Sequence, residues 1–254
     1  MVHLLPLPGS PGFNGSMDEV VETAVSDASD LAEAGFPALM IENFGDVPFF
    51  ADAVPAETAS AMTVAAIGVS DATGVPFGIN VLRNDAHAAL GIAVATGAAF
   101  IRVNVLTGTM YTDQGPVVGQ AAEVLRKRNE LAPGVEIWAD VMVKHAAAPA
   151  GIDARQAAAD TVERGRADAV IVSGSGTGAE PDIHEAAVVR AAVPTGTRVV
   201  IGSGASASNL SRLKGSADSV IVGSSIKIDG HALNRVDPLR AARFIEAALE
   251  NGLL

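Results

Sequence analysis

The sequence predicts one (β/α)8 barrel of parallel strands, a TIM barrel, spanning residues 1–254 as a single domain. Two observations carry this. Eight apolar, β-branched runs alternate with eight alanine-rich amphipathic stretches, one pair for roughly every thirty residues, which is the size of a βαβ step. The glycine-rich turns fall after the late runs, whereas an open dinucleotide-binding sheet wants its glycine fingerprint after the first strand. Runs buried on both faces and joined by helices imply parallel pairing, and eight such units close on themselves.

The strands are read at 2–7 ("VHLLPL"), 38–43 ("ALMIEN"), 76–82 ("PFGINVL") and 100–106 ("FIRVNVL"). They continue at 135–143 ("VEIWADVMV"), 168–174 ("DAVIVSG"), 198–204 ("RVVIGSG") and 218–224 ("DSVIVGS"). Helices are expected over 18–34, 56–70, 85–96, 117–131, 153–165, 182–192, 206–214 and 238–250. The first shows the logic best: Val21, Val25, Ala28, Leu31 and Ala32 recur at three- and four-residue steps, acids cover the other face, and Gly35 ends the helix. "NFGDVPFF" (43–50) and "LTGTMYTDQG" (106–115) are long enough to form lids over the barrel mouth. Their Tyr111 and Phe residues either stack on a flat ring or pack the loops.

Composition narrows the function. The chain has 49% hydrophobic residues, a mean hydropathy of +0.33 and a net charge of -12. Lysine occurs only at 127, 144, 214 and 227. Acid excess without basic clusters argues against nucleic acid, because displacing phosphate counterions needs Lys and Arg patches. It suits either a salt-adapted protein with a solubilising acidic surface or an ordinary acidic protein. Glycine, proline, Asp or Asn interrupts every apolar run short of a membrane span. The N-terminal "MVHLLPLPGSPGF" lacks a cationic start and carries three prolines, so a secretion signal is not expected and a cytoplasmic location is. No cysteine is present, which excludes disulfides, thiolate metal sites and a cysteine nucleophile. Neither HxH, HExxH nor GxSxG spacing occurs, so no zinc site or serine hydrolase elbow is expected. A homo-oligomer is expected.

Chemistry in a parallel barrel gathers at the C-terminal ends of the strands, and the loops after strands seven and eight often hold phosphate. "GSGAS" and "GSSIK" are those loops, giving Gly202, Ser203, Gly204, Gly223, Ser224, Ser225 and Lys227 as phosphate contacts. Ser173, Gly174 and Gly176 of "SGSGTG" after strand six widen the cradle. Glycine lets backbone N–H groups approach an anion without a Cβ in the way, and helix N-termini beyond, with Ser206 and Ser208 as caps, add a favourable dipole. Glu42, Asp140 and Lys144 are the catalytic candidates, since an acid inside a barrel strand must be paired or useful. Lys144 binds an anion or carboxylate, or forms a Schiff base. Asn80, Asn104, Asp113 and His145 are candidate substrate contacts, while Asn43 and Asn84 stand where Asn caps a following helix. No cofactor is required; inorganic phosphate fits as co-substrate, and a divalent ion on Glu42 and Asp140 stays open.

Several of these stretches together resemble the BtpA family, also called BtpA/SgcQ: "HLLPLPGSP", "IENFGDVPF", "RVNVLTGTMYTDQG", "ADVMVKHAAAP", "IVSGSGTGAEPD", "VVIGSGAS", "IVGSSIKIDG" and "NRVD". The likeness spans nearly the whole chain, with Arg83 a local variation in "VLRNDAHAAL". It implies a TIM barrel. It also implies two classes of function, an enzyme of sugar or nucleoside metabolism or an assembly factor for photosystem I. The residues favour an enzyme on a nucleoside or phosphorylated pentose, most concretely a phosphorylase. A sugar-phosphate isomerase or aldolase and a non-catalytic assembly factor are the alternatives.

Overall fold

A computed structural model describes residues 1–174 and 182–253. Eight strands pair in parallel and in chain order: β1 (Val2–His3), β2 (Leu39–Glu42), β3 (Phe77–Asn80), β4 (Phe100–Val103), β5 (Glu136–Val141), β6 (Ala169–Val172), β7 (Arg198–Ile201) and β8 (Ser219–Val220). The sheet curls until its ends approach, where the Met1 nitrogen donates to the Val222 carbonyl at 2.9 Å. Every strand falls inside its predicted run, and the ends are shorter because backbone pairing stops where the loops begin.

Eight helices follow the strands: α1 (Met17–Ala34), α2 (Ala56–Thr73), α3 (Ala86–Thr96), α4 (Ala121–Leu131), α5 (Ala154–Ala159), α6 (Ile183–Ala192), α7 (Leu210–Leu213) and α8 (Pro238–Glu250). A five-residue π turn, Asp160–Arg164, prolongs α5. Ser16, Asp85, Asp153, Asp182 and Asp237 each accept an N–H from the first turn of the helix that follows. Gly35 ends α1 in the left-handed region at φ 96°, which a Cβ would oppose. The buried stripe of α1 is Val20, Ala24, Ala28 and Leu31. Val21 and Val25 turn instead toward α2, 3.1 and 3.2 Å from where a Cβ on Gly68 would stand.

Two faces of each strand do different work, because side chains alternate at period two. Ile41, Ile79, Ile101, Ile137, Val170 and Val199 face the helices in one large core. Met40, Phe100, Trp138, Ile171, Val200 and Ile221 fill the barrel interior in two smaller clusters. Phe100 and Trp138 stack at 4.1 Å there, and a Cβ on Gly78 would overlap the Phe100 ring, so only glycine fits. Two residues further along the same inward faces come His3, Glu42, Asn80, Arg102, Asp140, Ser173, Gly202 and Gly223. The mouth is therefore the next inward layer.

Local expectations are corrected in four places. The predicted lid at 106–115 is half of a hairpin: Thr109–Thr112 pairs antiparallel with Gly115–Val118 and with Ala146–Ala147. That hairpin takes the first turn of the helix expected at 117–131. The helix expected at 206–214 shrinks to α7, preceded by Asn209, whose side chain bonds Gly204 O and Ser206 N while Ser206 and Ser208 bond each other. Asn43 and Asn84 cap nothing. Each clamps the next loop by a reciprocal pair of bonds, Asn43 to the backbone of Leu82 and Asn84 to that of Val105.

Lys227 is the fourth. It is buried, with Nζ 2.7 Å from Asp27 Oδ2, and Asp27 also accepts from Arg235 Nε and Val236 N. The ammonium that the sequence offered to a phosphate thus ties the β8 loop to α1. Burial alone would raise Asp27, but Lys227 and the donors from Arg235 and Val236 hold its carboxyl below the usual carboxylate value. Burial outweighs the pairing at Lys227 and lowers it. The stability contributed by Asp27 is therefore full above the unfolded pKa and is lost as pH falls through the lower folded value. Asp27→Ala should cost about 3–5 kcal/mol by stranding a buried ammonium, read as a drop in urea midpoint, and the loss should vanish in Asp27→Ala/Lys227→Met.

Candidate functional site

The floor of the mouth is a polar network at the ends of β3 to β6. Arg102 and Asp140 make a bidentate pair, with Nε and Nη2 each 2.9 Å from a carboxylate oxygen. Asn104 Nδ2 donates to Asp140 Oδ2 at 3.1 Å and Ser173 Oγ to Oδ1 at 3.2 Å. Asn80 Nδ2 donates in turn to Asn104 Oδ1 and to the Arg102 carbonyl. Burial opposes charge on Arg102, but Asp140 more than offsets it and raises its pKa. The four donors occupy the four acceptor positions of a carboxylate. Every acceptor position of Asp140 is thus filled, and the general-acid role expected of it would require one of those donors to leave. The same donors stand between Asp140 and any divalent ion shared with Glu42. Asn80 likewise spends both amide N–H groups on this network, and Asn104 one of its two.

Above the floor lies a cavity of about 200 Å³ lined by Glu42, Arg102, Asn104, Arg83, Lys144 and His145, with Asp113, Phe44, Val47, Phe49 and Leu82 around it. Four of these, Glu42, Phe44, Arg102 and Lys144, also line a smaller recess beside it. The recess is completed by His3, Gly202, Ser203, Gly204, Gly223 and Ser224. The structure thus brings the glycine loops after β7 and β8 together with Glu42 and Lys144. It joins Gly174 to them through its N–H, which donates to Ser203 Oγ at 3.1 Å. Gly202 has a packing reason as well, since a Cβ there would lie 2.4 Å from Ile171 Cγ2 and 2.6 Å from Ser173 Oγ. Ser225 instead bonds the Ala205 carbonyl and ties the two loops together. Gly176 lies outside the described residues. With only four residues in α7, the helix-dipole contribution expected after β7 has no helix to supply it.

Lys144 leaves β5 between two residues in the left-handed region, Met142 at φ 53° and His145 at φ 56°. Non-glycine residues held there store strain, a common feature of functional sites. Burial lowers the Lys144 amine below the usual lysine value, reinforced by Arg102 and opposed by Glu42. His145 is lowered by burial, then by Lys144 and Arg83. Among the described residues, Lys144 Nζ makes no hydrogen bond.

Three contributors escaped the sequence reading of the site: Arg102, Arg83 and His3. Arg83 is buried and donates from Nη2 to the Lys144 carbonyl at 2.7 Å, bracing that loop. Period two was the available signal. Asn104 reads as inward-facing, and so Arg102, two residues earlier, must be inward as well.

Asp140→Asn should strand the buried Arg102 guanidinium and cost about 3 kcal/mol or more in chemical denaturation. An acid facing solvent would leave the denaturation midpoint unchanged.

The BtpA family model matches residues 1–250. The photosystem I biogenesis protein BtpA of Synechocystis sp. is 46% identical over 250 residues, covering 98% of this chain and 87% of its own length. The putative sgc region protein SgcQ of Escherichia coli is 31% identical over 249 residues, covering 97% of this chain and 91% of its own. Two solved structures, thiamine phosphate pyrophosphorylase from Pyrococcus furiosus and orotidine 5′-phosphate decarboxylase from Pyrococcus horikoshii, superpose with TM-scores of 0.59. They are 13% and 18% identical, cover 92% and 91% of this chain, and match over 93% and 97% of their own, a likeness of fold alone. On the match over nearly its full length, this chain belongs to the BtpA family and carries a TIM-barrel-like fold.

Proposed function

We propose that this chain is an enzyme that cleaves a nucleoside with inorganic phosphate, giving a free base and a pentose 1-phosphate. The observation that carries the reading is the recess where Gly202–Gly204 and Gly223–Ser224 meet Lys144, Arg102 and Glu42. Phosphate seats on the glycine loops with the Lys144 ammonium beside it. Glu42 lines both the recess and the larger cavity, so it stands where phosphate and sugar meet. A phosphate oxygen forms the new bond to C1′ as the bond from C1′ to the base nitrogen breaks. The electron pair stays with the base, which takes up, in the outer cavity near Asp113 and His145, the proton that the attacking dihydrogen phosphate gives up. The sugar passes through an oxocarbenium-like state, and the Glu42 carboxylate stabilises that positive charge where little water competes. Phe44 and Phe49 offer faces to a flat base.

A test is purified protein in high salt with a panel of nucleosides, following base release with and without phosphate. Release should require phosphate; release that ignores phosphate sinks the reading. Glu42→Gln should lower kcat by about 10²–10³. Lys144→Met should mainly raise KM for phosphate. In the native protein that KM should rise as pH passes up through the Lys144 value, below that of an ordinary lysine, because the amine then loses its charge.

A second reading is favoured by Lys144 alone. An amine held below its usual pKa, with no hydrogen bond among the described residues, suits Schiff-base chemistry on a sugar phosphate, as in an aldolase. Borohydride with substrate separates the two: a stable adduct at Lys144 supports the aldolase and overturns phosphorolysis. The name of the Synechocystis relative favours a third role, assembly without catalysis. That role predicts that Glu42→Gln leaves the biological function intact.

A further inference from the structure

His3 and Glu42 are adjacent in the register of β1 and β2, and both face the recess. His3 Nδ1 lies 2.8 Å from the Ala232 carbonyl oxygen, which can only accept, so Nδ1 carries the proton. The neutral ring then presents a bare Nε2 lone pair. Phe44 stacks on the imidazole at 4.5 Å and fixes its plane. Burial, Lys227 and the neighbouring positive charges hold His3 well below the usual histidine pKa, which keeps Nε2 unprotonated. Nε2 stands 3.7 Å from Glu42 Oε1, beyond hydrogen-bond length. Two acceptors therefore sit side by side with no proton between them, on a wall otherwise supplied with donors. The complement of such a pair is two adjacent donors at similar spacing, and a vicinal diol supplies them.

We propose that His3 Nε2 and Glu42 together bind the two adjacent ring hydroxyls of a ribose, making the site selective for ribo- over 2′-deoxyribo-substrates. The proposal rests on the pentose reading of the site and names its sugar. It moves sugar recognition from Asn80, whose two N–H groups serve the floor, to a histidine on the first strand. A hydrogen bond from the 2′-hydroxyl to a fixed acceptor strengthens as the sugar becomes cationic, so the contact also favours the transition state.

The test is binding, independent of turnover: calorimetric titration of the full chain with inorganic phosphate, ribose 1-phosphate and 2-deoxyribose 1-phosphate. The native protein should bind ribose 1-phosphate about tenfold or more tighter than the deoxy sugar, since the deoxy ligand leaves a buried acceptor unpaired. His3→Asn keeps a donor for Ala232 and removes Nε2. It should reduce that ratio to about twofold or less while the affinity for inorganic phosphate holds. Glu42→Gln, which replaces one acceptor with a donor, should reduce it likewise and covers the case in which the His3 variant fails to fold. Equal binding of the two sugars by the native protein, or an undiminished ratio in folded His3→Asn or Glu42→Gln, overturns the diol assignment. The phosphorolysis reading fails separately, if inorganic phosphate does not bind.

Discussion

The mouth of this barrel is organised by one ion pair, Arg102 with Asp140, set inside a parallel sheet where neither group could stand alone. Desolvating a guanidinium and a carboxylate costs several kcal/mol each, and only bidentate geometry with every remaining acceptor satisfied offsets it. That requirement recruits the surroundings. Asn104 and Ser173 are needed for the outer lone pairs of Asp140, and Asn80 for the carbonyl of Asn104. Four strands thereby contribute one rigid floor. Asp140 has every acceptor position filled, whereas Arg102 spends only two of its five N–H groups here and still lines the recess.

The shape of the site follows from what the inward positions hold. On β2 to β5 the inward residue at the mouth is large and polar: Glu42, Asn80, Arg102, Asp140. On β7 and β8 the same position is glycine, at 202 and 223. The barrel is therefore filled on one side and open on the other, which sets the recess off centre against the glycine loops. His3 and Glu42 border that opening on one flank. Lys144 reaches it from the end of β5. The asymmetry of the interior is thus written in side-chain size, one strand at a time.

The barrel was legible because its signals are local and redundant. Eight β-branched runs and eight helical repeats each announce themselves within a dozen residues, and the parallel order follows from the helices between them. The glycine loops, Glu42 and Lys144 were legible as strand ends. What stayed hidden depends on partners distant in the chain. Lys227 reads as a cation at a strand exit because Asp27, which claims it, lies 200 residues away. Asn43 and Asn84 stand in helix-cap positions, yet their bonds go sideways to the next loop, a geometry that exists only once neighbouring strands are aligned. The 109–118 hairpin contains Gly115 and strand-forming residues, but it lies between two barrel elements where a long loop is equally consistent with the pattern. Arg102 was hidden by its apolar neighbours, although alternation alone places it inside.

Hydrogen-bonding capacity is spent unevenly across the mouth. Buried polar groups in a purely structural barrel end satisfied or are replaced by apolar ones, since each unmet group costs about 1–3 kcal/mol. Here the floor is satisfied almost to completion, while capacity remains concentrated at its edge. Asn80 Oδ1 is buried without a partner, the Glu42 carboxylate has its nearest cationic candidate at 3.7 Å in a histidine whose facing nitrogen carries no proton, and the Lys144 amine makes no hydrogen bond among the described residues. Left-handed backbone on either side of Lys144 adds strain at the same place. Glu42 and Lys144 turn this capacity toward the recess that both of them line. In the phosphorolysis and diol proposals, an oxyanion for Lys144 and hydroxyls for Glu42 and His3 would take it up.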